Sequence, residues 1–438
     1  MNILILSPYP PYPPHGGGTM RVYQILRGLA ARHTVTCLTF AADEAADRAL
    51  EPLRAICHVR TIRGSAPRAT LRRAWTTLAS PLPDMALRNA SDAYAATLRE
   101  LLAAESFDVV QAESIEMAGY IADCRLPIAD RSGSSVNRAA PNRPLLILDQ
   151  FNAEYVLQKR AALTSLKMAL RLQTQNPRSA IQQLAGGLYS LAQWLKLARY
   201  ERRVMRAADA VAVVSEEDAR ALRRLAPAAR FAVVPNGVDT RHFSRVALAA
   251  EGLAPLAFDG PALVFSGTLD YRANVDALAW FAGGVLPRIR QRRPDVRLIA
   301  VGKRPTPALQ RLAAQGALTL TGEVPDARPF IAGAAVYVVP MRIGGGVRLK
   351  LLEALALEAP TVTTSLGAEG VMGLRNGEHC LVADEPAAFA AATLRLLDDP
   401  ALGERLGAAG RELVCAGYDW AAIVPCLEDL YQELGAER

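Results

Sequence analysis

The stretch MRIGGGVRLKLLEALALEAPTV, residues 341–362, gathers residue types that packing alone does not require. Gly344, Gly345 and Gly346 follow the apolar run AVYVVPM and lead into a segment whose apolar spacing predicts a helix starting near Val347. Residues without Cβ atoms let backbone amides approach a ligand, and a helix amino end with open amides carries partial positive charge. Arg348 and Lys350 add two full charges to the first turn, where cations are unfavourable unless an anion offsets them. Glu353, three residues past Lys350, points from the same end and can accept hydrogen bonds from vicinal hydroxyls. An anion beside a diol outlines a nucleotide. A flexible turn would explain the glycines but not the charges.

A second glycine run, HGGGTMRVYQILRGLA (residues 15–30), repeats this physics near the amino terminus, with Gly17 and Gly18 as the candidate positions. Polar groups also stand at strand ends: Gln111 and Glu113 after FDVV, then Asp149, Asn152 and Glu154 in LDQFNAEY. These could orient a bound ligand; helix capping by Asn152 and strand-end packing are the competing readings. Of five histidines, His15 alone falls in such a loop. No Asp-x-Asp motif occurs and the six cysteines have no metal-ligand spacing, so neither a metal nor a disulfide framework is expected.

The elements that must position these residues follow from the pattern. Short β-branched runs alternate with helical stretches: 2–8, 34–40, 107–113, 145–151, 209–215 and 231–237, then 262–269, 296–302, 318–324, 335–341 and 360–365. The alternation predicts an α/β fold with two Rossmann-like parallel sheets in tandem, facing across a cleft, with ligands at the carboxyl ends of the strands. The pattern pauses at 238–258, which sets the expected join. Domains are expected at 1–238 and 258–415, with a terminal helix at 416–438 returning to brace the first. RSGSSVNRAAPNRP (131–144) reads as a loop.

At 438 residues, 51% hydrophobic and only 6% aromatic, the chain is globular and suits helices on sheets. The first apolar run is too short for a signal peptide and no stretch is oily enough to span a bilayer, so the cytoplasm is the expected compartment. The net charge of +7 is matched by one segment: from Tyr155 to Tyr200 there are seven basic residues (159, 160, 167, 171, 178, 196, 199) and no acid. There Ile181, Leu184, Ala185, Leu188, Leu191, Ala192 and Leu195 share a helical face. That face either packs on the core beneath a solvated basic side, or rests peripherally on an anionic membrane at the inner surface. Nucleic acid is not an expected partner, since no aromatic platform accompanies the charge.

GGGVRLKLLEALALEAPTVTTSLGAEGV resembles the donor-binding signature of glycosyltransferase family 4, the retaining sugar-nucleotide transferases of the two-lobed GT-B fold. VVPNGVDTRHF, VFSGTLDYRANVDALAWF, VRLIAVG and LTGEVPD occur in that family's order. The resemblance implies a nucleotide-binding second domain and an acceptor-binding first domain, with no cofactor or metal beyond the nucleoside-diphosphate sugar. It implies that Glu353 holds the ribose, and that Glu323 and Val324 meet the base, with Lys303 as an extra contact. The first acid of the family's pair falls at Gly345, so sugar recognition passes to amides of Gly345 and Gly346 or to other groups, with Val347 among the expected donor-binding residues. After Gly267 the family places Arg and later Lys where this chain has Thr268 and Ala273; Arg348 and Lys350 are expected to compensate. The resemblance also implies that the Gly17–Gly18 loop closes over the diphosphate. The histidine which that family often carries in the first lobe is missing, leaving Glu113, Asp149 and Asn152 as the candidates beside Arg348, Lys350 and Glu353 for catalysis. The expected acceptor is a lipid-linked glycan or cell-surface polysaccharide. The alternatives are a non-catalytic sugar-nucleotide-binding protein and a sugar-nucleotide 2-epimerase.

Overall fold

A computed structural model describes residues 1–14, 16–64, 75–76, 79–124, 143–172, 177–344 and 346–438. His15, Gly345 and residues 131–142 of the polar loop lie outside the described residues. The chain divides into two units, residues 1–234 with 424–438, and residues 235–423. The join falls between Val234 and Pro235, ahead of the pause at 238–258, which lies within the second unit. There Val238 bridges Asp419, and Arg245 donates to the carbonyl of Ala332.

The first unit holds seven parallel strands: β1 (Asn2–Leu6), β2 (Thr34–Ala41), β3 (His58–Arg63), β4 (Val109–Glu113), β5 (Leu145–Gln150), β6 (Ala210–Val213) and β7 (Phe231–Val233). Their order is β3-β2-β1-β4-β5-β6-β7. The second unit holds β8 (Ala262–Ser266), β9 (Arg297–Val301), β10 (Thr319–Leu320), β11 (Val336–Val339), β12 (Thr361–Thr363) and β13 (Leu381–Val382), ordered β10-β9-β8-β11-β12-β13. Parallel strands covered by helices on both faces bury every residue, which is why LLILDQ, ALVFS and VYVV stand out as near-continuous apolar runs. Two edge strands escape that signal. HVRTIR of β3 keeps half of its surface toward solvent and so tolerates two arginines, and β13 has two residues.

In each sheet the strand order reverses at one place, between β1 and β4 and between β8 and β11. Loops leaving adjacent strands diverge there and open a crevice, the usual ligand position of doubly wound sheets. Gly344 and Gly346 follow β11, and Gly267 follows β8, so both segments border the second reversal.

Two long packed helices follow β5, Glu154–Leu172 and Pro177–Ala207. The core-packed reading of their apolar face fails: Ile181, Leu184, Leu188 and Leu195 are all exposed, Ile181 at 65%. At 31 residues the second helix runs roughly 46 Å, far beyond the strands it follows, so its amino-terminal half has no sheet to cover. Apolar burial is regained at Leu197, Tyr200 and Val204, after the buried Gln193.

Candidate active site

In the second unit, β11 ends at Val339 and the chain turns through Gly344 (φ +116°) and Gly346 (φ +73°), left-handed conformations that glycine adopts without penalty. The helix that follows spans Leu349–Ala356, with Arg348 as its cap rather than in its first turn. The shift from the expected start at Val347 arises because Val347 is buried against the core while Arg348 is extended (φ −87°, ψ 101°). Among the described residues no side chain caps the helix; the Leu351 and Leu352 amides donate to the Arg348 carbonyl, which leaves the amides ahead of them to face a ligand. The Arg348 guanidinium folds back over the turn: a Cβ on Gly344 would come 3.0 Å from Nη2.

Lys350 lies in the first turn, and its ammonium reaches across to the loop after β8. Nζ donates to Asn274 Oδ1 at 2.8 Å and stands 3.8 Å from the centre of the Phe265 ring. A Cβ on Gly267 would fall 2.9 Å from both Lys350 Nζ and Asn274 Nδ2, and Gly267 has φ +142°. Gly267 is therefore glycine because a cation and a carboxamide occupy the space its side chain would take. Asn274 Nδ2 in turn donates to the carbonyl of Thr268 at 2.8 Å. Burial lowers the Lys350 ammonium to about 7 despite the opposing pull of Glu353, and burial raises the Glu353 carboxyl to about 7 despite Lys350. Such a pair is poised for an incoming anion, which would restore the lysine's full charge. Beneath it the Ser266 and Tyr337 hydroxyls bond at 2.6 Å, and burial, then the charge of Glu353, holds the Tyr337 phenol above its ordinary range.

The loops after β8, β9 and β10 are tied together. Leu269 N–H donates to the carbonyl of Lys303 at 2.9 Å and Gly302 N–H to that of Gly322 at 3.2 Å. A Cβ on Gly302 would overlap the Gly267 carbonyl oxygen at 1.9 Å. Lys303 and Glu323 form an exposed ion pair at 3.2 Å, and Val324 packs on the core. Gly267, Thr268, Gly346, Val347, Arg348, Lys350 and Glu353 thus belong to three neighbouring segments, and Lys303, Glu323 and Val324 lie along the next two loops.

In the first unit, Gly17 and Gly18 open the helix Gly17–Ala30, whose first turn closes through Thr19 Oγ1 and the backbone of Gly16. A Cβ on Gly18 would meet the Tyr9 hydroxyl at 2.0 Å, a close approach only glycine allows. Asp149 is fully buried and clamped by Arg21, which donates to its two oxygens at 2.7 and 2.8 Å. The clamp holds the helix Gly17–Ala30 on β5. Glu113, its neighbour across β4 and β5, is also fully buried; Oε1 accepts from Gln111, which in turn accepts from the Tyr431 hydroxyl. Burial first, then the negative charge of Asp149, holds the Glu113 carboxyl well above its usual range. Asn152 is half-buried and bonds Glu154, and the capping role falls to Glu201. Glu201 Oε1 accepts from the Glu154 amide and from Gln150 Nε2, both at 2.9 Å. Burial raises Glu201 to about 8 and Glu154 to about 7.

Sequence reasoning missed Asn274, Arg21 and Glu201. Arg21, four residues beyond Gly17, carried the only visible signal: a basic residue in an otherwise apolar helical stripe. Among the described residues no cluster of three or more His, Cys, Asp or Glu could hold a metal, and no helix is long and apolar enough to cross a membrane.

Residues 260–399 match the family described as glycosyl transferases group 1, and residues 184–242 match glycosyltransferase family 4. The chain is 33% identical over 211 residues to a phosphatidyl-myo-inositol mannosyltransferase of Mycobacterium tuberculosis, covering 45% of this chain and 53% of that one. It is 28% identical over 225 residues to a glycogen synthase of the same species, covering 48% and 50%. The chain thus spans about half the length of the curated relatives it matches. Among solved structures, a sucrose-phosphate synthase from Thermosynechococcus elongatus aligns with a TM-score of 0.66 at 20% identity over 100% of both chains. HepE from Anabaena, in complex with UDP, aligns with a TM-score of 0.61 at 14% identity over 99% and 100%.

Proposed function

We propose that this chain, whose sequence carries group 1 and family 4 glycosyltransferase domains on a GT-B fold, transfers a hexose with retention from a nucleoside-diphosphate donor to a hydroxyl acceptor. The observation that carries the reading is the reach of Lys350 from the helix after β11 to Asn274 and Gly267 after β8. That contact sets a cation where the resemblance expects charge from positions 268 and 273, which are Thr and Ala in this chain. A diphosphate at the amino end of Leu349–Ala356 would meet Lys350, Arg348 and the open first-turn amides, with the ribose hydroxyls on Glu353.

In the transfer, the bond from sugar C1 to the diphosphate oxygen breaks and the acceptor oxygen bonds C1 on the same face. The acceptor proton passes to the departing phosphate oxygen, so no enzymic base is required. The protein neutralises the leaving charge and aligns the reactants, effects worth several orders of magnitude in rate. Burial lowers Lys350 to about 7, and the negative charge of a diphosphate beside it would favour its charged form.

The acceptor in this reading is a lipid-linked glycan or surface polysaccharide, met at an anionic membrane. Support comes from Ile181, Leu184, Leu188 and Leu195, which are exposed, from the exposed Lys159, Arg160, Lys167 and Arg199 on the same two helices, and from a relative named for a phosphatidylinositol acceptor. The test is release of nucleoside diphosphate from UDP-, GDP-, ADP- and dTDP-sugars. Slow hydrolysis of one donor is expected; tight binding with no turnover would favour a binding protein, and no binding to any donor would overturn the reading.

A further inference from the structure

A buried carboxylate oxygen without a hydrogen-bond donor is costly, and a structure that keeps one does so for a reason such as strain, a catalytic role or a bound water, ion or ligand. Glu369 has such an atom: its Oε2 is shut off from solvent and, among the described residues, no donor reaches it and no cation pairs with it. The residue follows the short helix Ser365–Ala368 at the exit of β12, within the same unit as the glycine turn.

The backbone around Glu369 is held firmly. Thr364, at the amino cap of Ser365–Ala368, accepts from the Gly367 amide at 2.9 Å and donates to the carbonyl of Met341, so the exits of β12 and β11 are joined. A Cβ on Gly367 would come 2.2 Å from Thr363 Oγ1 and 2.8 Å from the Val339 carbonyl oxygen, so the turn closes only with glycine there. Gly370, with φ +82°, lies against the end of the glycine turn: a Cβ there would stand 3.2 Å from Val347 Cγ2, 3.3 Å from Val347 N and 3.5 Å from Gly346 C. Glu369, one residue earlier, is therefore fixed beside the segment that leads into the helix Leu349–Ala356.

We propose that Glu369 accepts hydrogen bonds from the hydroxyls of the transferred sugar and determines which sugar the donor site retains. Two acids then divide the donor: Glu353 takes the ribose one turn into the helix, and Glu369 takes the sugar at the turn ahead of it. The position at which the resemblance expects a sugar-binding acid is Gly345, which has no side chain, and Glu369 offers a carboxylate one residue before Gly370, which lies against Gly346 and Val347. This proposal rests on the reading of the site as one for a nucleoside-diphosphate sugar.

The test compares wild type with Glu369→Gln and Glu369→Ala in two measurements: kcat/KM for donor hydrolysis, and the inhibition constant of the free nucleoside diphosphate. Removing an acceptor that carries charge is expected to lower kcat/KM by about tenfold or more while the inhibition constant stays within about twofold. A structural role would shift both. Unchanged kcat/KM in both variants, or equal weakening of both quantities, would overturn the proposal. Wild type that binds no nucleotide would overturn the underlying reading instead, which separates the two failures.

Discussion

Gly267→Ala probes the contact between Lys350 and the loop after β8 with a single methyl group. The new Cβ would stand 2.9 Å from Lys350 Nζ and 2.9 Å from Asn274 Nδ2, and the backbone would have to hold φ +142°. Holding an L residue there costs on the order of 1–3 kcal/mol of stability. The steric conflict itself is relieved cheaply, because Nζ ends a flexible side chain and can swing away. That swing breaks the bond to Asn274 and removes the cation from the diphosphate position, a charge-assisted contact of roughly 1.5–3 kcal/mol. Donor affinity should therefore fall by about 10- to 140-fold, over and above any loss of folding stability. Gly316→Ala is the control, since Gly316 also has positive φ (+72°) but a Cβ there meets nothing within 4 Å. Both variants are compared by urea unfolding and by calorimetric titration with the nucleoside diphosphate. Gly267→Ala with the affinity of Gly316→Ala would refute the argument that Lys350 forms the anion site with this loop.

Other outcomes follow from the first unit. Glu201 is raised by burial to about 8, so the folded state holds its proton more firmly than the unfolded state does, and the group's contribution to stability declines as pH rises from roughly 4.5 toward 8. Glu201→Gln keeps an acceptor for the Glu154 amide and should flatten that decline in melting temperatures taken across this window; an unchanged slope would contradict it. Leu184→Glu with Leu188→Glu, on the exposed face of the helix Pro177–Ala207, should abolish flotation with anionic liposomes while shifting stability by no more than about 0.5 kcal/mol per site, and retained flotation would remove the membrane reading.

Much of the fold was legible because parallel strands buried on both faces leave unbroken apolar runs; β3 and β13 were lost because edge strands carry charge or are too short to register. The glycine turn before Arg348 could be read because its components are neighbours in sequence. What fixes it could not: Lys350 and Asn274 are 76 residues apart, and Arg21 and Asp149 are 128 apart. Such pairings depend on topology, which local periodicity does not encode. The helix Pro177–Ala207 shows the same limit in reverse, because an amphipathic stripe reveals that a face is apolar but not what covers it. Glu369 carried no signal at all, since its meaning depends on a turn donated by another strand.

The central claim is that a diphosphate binds at the amino end of Leu349–Ala356 through Lys350 and Arg348. Its most direct test is calorimetric titration of wild type and of an Arg348→Ala, Lys350→Ala double variant with the nucleoside diphosphate of the donor that wild type hydrolyses. One site on wild type and at least about a hundredfold weaker binding by a variant that still melts cooperatively is the expected result. Equal affinity in the two proteins would contradict the claim.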